Sequence, residues 1–195
     1  EQISELTLTV STLTQDNQEL ERLRELMNMK NRYSGYPMVG AHIVAKESGK
    51  WYSTFTLDVG TNDGIQKDMN VIAHGGLVGI VTDVGNNFCT VRSIIDDDNS
   101  VSAQFEENSQ LCIINGSVSL MEKNLLEFTN VSADVYIPMN GAVVTSNISS
   151  KYLPGILIGY VTDYKLDKND LTQSGYIKPI VDFSDLEEVL VITKL

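Results

Sequence analysis

The chain has 195 residues, 42% of them apolar and 21% charged, a globular composition rather than a disordered one. Its net charge of −12 repels phosphate backbones and anionic lipid heads, which argues against nucleic-acid binding and against a polybasic membrane role. No apolar run reaches the roughly 18 residues of a membrane-spanning helix, and no stretch of this sequence reads as a signal peptide.

The chain opens EQISEL, without methionine and already in helical register. It reads as a piece whose upstream part, any membrane anchor included, has been removed. Ile3, Leu6, Val10, Leu13, Asn17, Leu20, Arg24 and Met27 follow at spacings of three and four. Six of these eight are apolar, and neither proline nor glycine interrupts them. The first core positions hold Ile3, Val10 and Asn17; the second hold Leu6, Leu13, Leu20 and Met27. β-Branched residues followed by leucine favour a parallel two-stranded coiled coil, and one buried asparagine sets register and strand number. The expected dimer seam is therefore Ile3, Leu6, Val10, Leu13, Asn17, Leu20 and Met27, on a helix over residues 1–32. The competing reading is an amphipathic helix folded onto its own domain.

NRYSGYP, residues 31–37, ends the helix, and the period then falls to two. In KWYSTFTLDVG, Trp51, Phe55, Leu57 and Val59 face one way, and Tyr52, Thr54, Thr56 and Asp58 the other. That is a half-buried antiparallel strand. TNDGIQKD follows as a turn centred on Asp63–Gly64. Further short strands are expected at 69–73, 77–84, 88–95, 101–105, 111–119, 124–129, 142–145, 156–164, 176–181 and 188–193. LMEKNLLEF is read as strand. This pattern predicts a mostly β chain of barrel or sandwich type.

One phrase occurs twice. GGLVGIVTDV at 75–84 returns as PGILIGYVTDY at 154–164, with five identities over eight positions from Leu77 on Leu157. Interior strand glycines such as Gly79 and Gly159 mark bulges, corners or close backbone approach. Two similar small barrels would use the same corner twice. The expected structural turns and glycines are Gly60, Gly64, Gly75, Gly76, Gly79, Gly141, Pro154, Gly155 and Gly159. The expected division is 38–110 for the first barrel and 111–195 for the second, with exchange of segments between them allowed.

Little in the chain assembles chemistry. A protease triad needs a base, and the histidines are His42, in the alternating run VGAHIVAK, and His74, in AHGG. No serine lies in a nucleophile elbow. Both histidines read as ordinary strand or turn residues. IIDDDNSV offers Asp96, Asp98, Ser100 and Glu107 at calcium-loop spacing, but Val101 stands where such a loop needs glycine. An acidic β-turn is the better reading. Cys89 and Cys112 sit in apolar runs and read as buried thiols, with a disulfide between them a lesser alternative. No catalytic residue, metal ligand or cofactor is assigned.

The ordered phrases DVGTNDGIQKDMNVIAHGGLVGIVTDV, VRSIIDDDNSV, NGAVVTSNISSKYLPGILIGYVTDY and IKPIVDFSDLEEVLVI resemble the rod shape-determining protein family MreC, from about residue 39 to the C-terminus. Two departures stand out. Asn147 replaces a glycine the family tends to have, and Tyr152-Leu153-Pro154-Gly155 shifts the proline of its Phe-Pro-x-Gly by one place. The resemblance implies a short cytoplasmic segment, one membrane helix, a coiled coil, and two small antiparallel β-barrels outside the cytoplasmic membrane. Those barrels are similar in topology to the chymotrypsin barrels but carry no catalytic triad. It also implies a non-enzymatic scaffold of the cell-wall elongation machinery, assembling beyond dimers in some members. The implied partners are a class B penicillin-binding transpeptidase, MreD, and indirectly MreB. Binding would run through exposed strand edges or apolar patches. The alternatives are a peptidoglycan-binding wall module and a two-barrel hydrolase.

Overall fold

The computed structural model describes residues 10, 12–15, 33, 35–46, 53–168 and 170–194. The chain forms two compact units, Glu1–Gly35 and Tyr36–Leu195. In the first, Val10 and residues 12–15 are helical, and the Thr14 hydroxyl donates to the Val10 carbonyl at 2.7 Å.

Among its described residues the second unit holds twelve strands: β1 (Met38–Lys46), β2 (Thr54–Leu57), β3 (Asn70–Ala73), β4 (Gly76–Val84), β5 (Cys89–Ser93), β6 (Ser100–Phe105), β7 (Leu111–Asn115), β8 (Leu126–Ser132), β9 (Ala142–Thr145), β10 (Leu157–Leu166), β11 (Thr172–Pro179) and β12 (Glu188–Ile192). Period-two burial is plain in β2, where Phe55 and Leu57 are buried and Thr54 and Thr56 half-buried. Trp51 and Tyr52 lie outside the described residues. The strands close into two six-stranded barrels, with ring orders β1-β12-β3-β4-β5-β2 and β10-β11-β8-β7-β6-β9. All the pairings are antiparallel. Apolar side chains fill both interiors; in the second, Phe105 and Phe128 meet edge to face, 5.5 Å between ring centroids.

The two rings are one topology written twice. β3, β4 and β5 correspond to β9, β10 and β11, and β1 and β2 to β7 and β8. The sixth place is filled crosswise. β12 closes the first barrel between β1 and β3, while β6 closes the second between β7 and β9. Each half of the chain lends its last strand to the other half's barrel. A cut between residues 110 and 111 therefore separates the two repeats but not the two barrels.

The repeated phrase lies on β4 and β10. Gly79 pairs with Val71 and Gly159 with Val143, and a Cβ at either glycine would strike the carbonyl of Arg92 or Lys178 on the next strand. Both strands bulge two residues later, at Val81/Asp83 and Val161/Asp163. The Thr82 hydroxyl donates to the Thr90 carbonyl at 3.3 Å, as that of Thr162 does to Tyr176 at 3.0 Å.

Two sequence readings are corrected. LMEKNLLEF is not one strand: Val118–Met121 forms a single helical turn, residues 122–124 turn, and β8 begins at Leu126. The Val118 N–H donates to the Asp97 carboxylate at 2.9 Å, a bond from a distant loop that holds the turn out of the sheet. Strand edges are confined to strand ends. Among the described residues every barrel strand is paired on both sides over part of its length, because closure removes most of the edges, while Asp163–Leu166 of β10 has β11 alone as a strand neighbour.

Candidate functional site

His42 faces outward from β1. Its ring Nδ1 lies 3.1 Å from Asp58 Oδ2, and its backbone N–H donates to Asp58 Oδ1 at 2.7 Å. The other ring nitrogen, Nε2, lies 3.7 Å from Glu188 Oε1 on β12. A histidine oriented by an aspartate is half of a hydrolase triad, but the nitrogen that would activate a nucleophile faces a carboxylate instead of a hydroxyl. This cluster ties β1, β2 and β12 together on the barrel's outside. His74 sits in the two-residue turn between β3 and β4 with a left-handed φ of 48°.

In the acidic turn, Asp96 Oδ1 accepts the Asp98 N–H at 3.0 Å, and Asn99 Nδ2 donates to the Ser93 carbonyl at 2.9 Å. The second repeat has the same turn: Asp182 Oδ1 accepts the Ser184 N–H at 3.0 Å. These carboxylates shape the two crossover segments. Among the described residues no group of three or more His, Cys, Asp or Glu could hold a metal ion. Cys89 and Cys112 are free and buried, one in each barrel.

The expected glycines fall into three settings. Gly64, Gly75 and Gly155 hold left-handed φ values of 81°, 79° and 81° at turns, and Pro154 precedes the last of them. Gly60, Gly79, Gly141 and Gly159 sit where a Cβ would strike neighbouring atoms. Gly76 lies between the barrels, against Ile180, Val181 and the Leu157 carbonyl.

The barrels are locked together by polar contacts as well. Buried Asn70 on β3 donates through Nδ2 to the Lys151 carbonyl at 2.8 Å and accepts the Leu153 N–H at 2.7 Å. The Tyr152 hydroxyl donates to Asn99 Oδ1 at 3.2 Å. The loop with the displaced proline is thus the one that grips the first barrel.

The second barrel displays one loop in an unusual way. Between β8 and β9, Tyr136 is 67% exposed and Met139 50% exposed, while Ile137 between them is 1% exposed. Buried Gln173 reaches across from β11, its Nε2 within 2.9, 3.1 and 2.8 Å of the carbonyls of Ser132, Ala133 and Val135. Asn108 Nδ2 donates to the Tyr136 carbonyl at 2.9 Å from the β6–β7 hairpin. The sequence reading passed over this loop. Aligning the repeats on the preceding strands, Val71 on Val143, sets GIQKD (64–68) beside YIPMN (136–140) and exposes its odd residues.

Of the expected dimer seam, Val10 and Leu13 are helical and exposed. Ile3, Leu6, Asn17, Leu20 and Met27 lie outside the described residues.

Residues 43–193 match the family described as rod shape-determining protein MreC, barrel core. The chain is 30% identical to the cell shape-determining protein MreC of Listeria monocytogenes over 197 aligned positions, covering all of this chain and 65% of that protein. The solved structure of the Listeria MreC superposes with a TM-score of 0.75 at 30% identity, over 96% of this chain and 93% of that one. An MreC chain solved in a complex between a penicillin-binding protein and MreC from Helicobacter pylori superposes with a TM-score of 0.62. There the identity is 16%, over 82% of this chain and all of the other, a likeness of fold.

Proposed function

The chain belongs to the rod shape-determining protein family MreC, and from that premise we propose that it is a non-enzymatic scaffold that binds and positions a penicillin-binding transpeptidase of cell-wall elongation. The observation that carries the reading is the complex of a penicillin-binding protein with an MreC of the same fold from Helicobacter pylori. Support comes from His42, whose Nε2 has a carboxylate neighbour where an acyl-transfer site needs a hydroxyl. In this reading the protein works outside the cytoplasmic membrane, anchored by an upstream helix. The heptad helix pairs it as a parallel homodimer through the seam that includes Val10 and Leu13, and MreD and, indirectly, MreB are further partners.

The test is binding of this chain to the extracytoplasmic domain of the same organism's elongation transpeptidase by interferometry, alongside a Leu13→Asp variant. Saturable binding by the native chain is expected, weaker in the variant because a dimer binds with avidity. Light scattering should show the variant at half the native mass. No binding by the native chain overturns the scaffold reading.

A further inference from the structure

The two repeats provide an internal control for the displayed loop. Ile65 and Ile137 are equivalent and both buried, at 0% and 1% exposure. Asp68 and Asn140 are equivalent, with left-handed φ values of 69° and 59°, and their N–H groups donate to the Val81 and Val161 carbonyls at 2.9 and 3.0 Å. From the isoleucine to the Asp68/Asn140 turn the backbone task is the same in both barrels, while one residue earlier Gly64 is left-handed and Tyr136 is not. Yet the first barrel performs it with Gly64 and Lys67 where the second has Tyr136 and Met139. Lys67 shows that the fold requires no methionine at 139, and Tyr136 gains little burial from its place. Exposed tyrosine and methionine that serve no packing purpose mark a contact surface.

Charge identifies the partner. The Glu106 N–H donates to the Ala142 carbonyl at 2.9 Å, so the β6–β7 hairpin runs beside the loop. Residues 105–111 and 132–142 carry Glu106, Glu107 and Asp134 and no lysine or arginine. A second copy of this acidic surface would be repelled. Gln173 pins the loop at three carbonyls, so little ordering is lost when it binds.

Resting on the scaffold reading above, we propose that Tyr136 and Met139, bordered by Glu106, Glu107 and Asp134, are the docking surface for a protein partner whose contacting segment sets a large apolar side chain beside lysine or arginine. Closed barrels leave little edge to lend a strand near this loop, which favours recognition by side chains such as these.

The test uses the transpeptidase's extracytoplasmic domain as probe, against four forms of the chain. These are the native form, Tyr136→Gly with Met139→Lys, the triple neutral Glu106→Gln, Glu107→Gln, Asp134→Asn, and Ile148→Ser as an exposed site elsewhere. Met139→Lys installs the residue the equivalent position already holds, and Tyr136→Gly frees a backbone that is not left-handed there, so the unfolding midpoint should fall by no more than roughly 2–4 °C and the variant stays folded at the temperature of the binding measurement. Its affinity should fall by at least about tenfold. The neutral variant should associate several-fold more slowly and lose most of its salt dependence. Ile148→Ser should bind as the native chain does. Native affinity in the Tyr136→Gly, Met139→Lys form overturns the proposal and leaves the scaffold reading intact. A changed mass of that form at unchanged partner affinity assigns the loop to self-association and also overturns it. No binding by the native chain overturns both.

Discussion

Asn70 and Leu153, one from each barrel, are joined by a 2.7 Å hydrogen bond from the Leu153 N–H to the Asn70 carboxamide oxygen. The same side chain donates to the Lys151 carbonyl at 2.8 Å. Asn70→Ala leaves both backbone groups without their partner at a buried junction. A cost of about 1–3 kcal/mol is expected, read as a fall of roughly 4–8 °C in the unfolding midpoint for a cost near the middle of that range. An unchanged midpoint would show that water replaces the amide at no cost.

Gly79→Ala and Gly159→Ala should behave as a pair. In each, the added methyl meets a carbonyl of the adjacent strand, so the strands must part. Each change should destabilise by about 1–3 kcal/mol, as overpacking does. Denaturant unfolding measures it. Stabilisation at either position would contradict the close approach.

Asp58 gives a pH prediction. Partial burial pushes its carboxyl up, but the His42 backbone N–H, the His42 ring and the ring's charge outweigh this and hold it below the ordinary value. A carboxyl lowered in the folded state contributes stability above its unfolded pKa, and that contribution is lost as pH falls through the folded value. Asp58→Asn should therefore be less stable than the native chain above about pH 4. The difference should close as the pH is lowered further. Unfolding scans from neutral to acid pH would show it, and a difference that persists at the acid end would refute it.

The thiols should be silent. Burial, reinforced by the Asp58 charge, pushes Cys89 to about 11, and burial pushes Cys112 to about 12. The reactive thiolate is then scarce at about pH 8. A thiol reagent should label neither cysteine in the native chain and both in denaturant. Fast labelling of one would show that its barrel opens.

The alternation in STFTL and the doubled LVGIVTDV phrase made the strands, and even the equivalence of the barrels, legible in the sequence. The crosswise placement of β6 and β12 was not. A strand's own residues record which face is buried, and nothing in VLVI says which of two similar barrels it closes. The single helical turn at Val118 was misread for a related reason, since it depends on Asp97, 21 residues earlier. The displayed loop escaped notice because Tyr136 and Met139 look like core residues in a string. It takes the equivalent loop, with Lys67 in the place of Met139, and the exposure of Tyr136 itself to show otherwise.

The crosswise strands also set the order in which the protein can be completed. Met38 on β1 pairs with Ile192 on β12, so the barrel that begins first in the chain cannot close until β12, which follows every strand of the second barrel, has been made and delivered. The second barrel, whose strands run from Ser100 to Pro179, can close before that. A chain emerging from its N-terminus, whether from a ribosome or through a membrane pore, reverses the usual sequence in which the leading domain folds first. Until then β1 and β3 remain open edges, and a neighbouring chain's final strand would fit them as well as the chain's own.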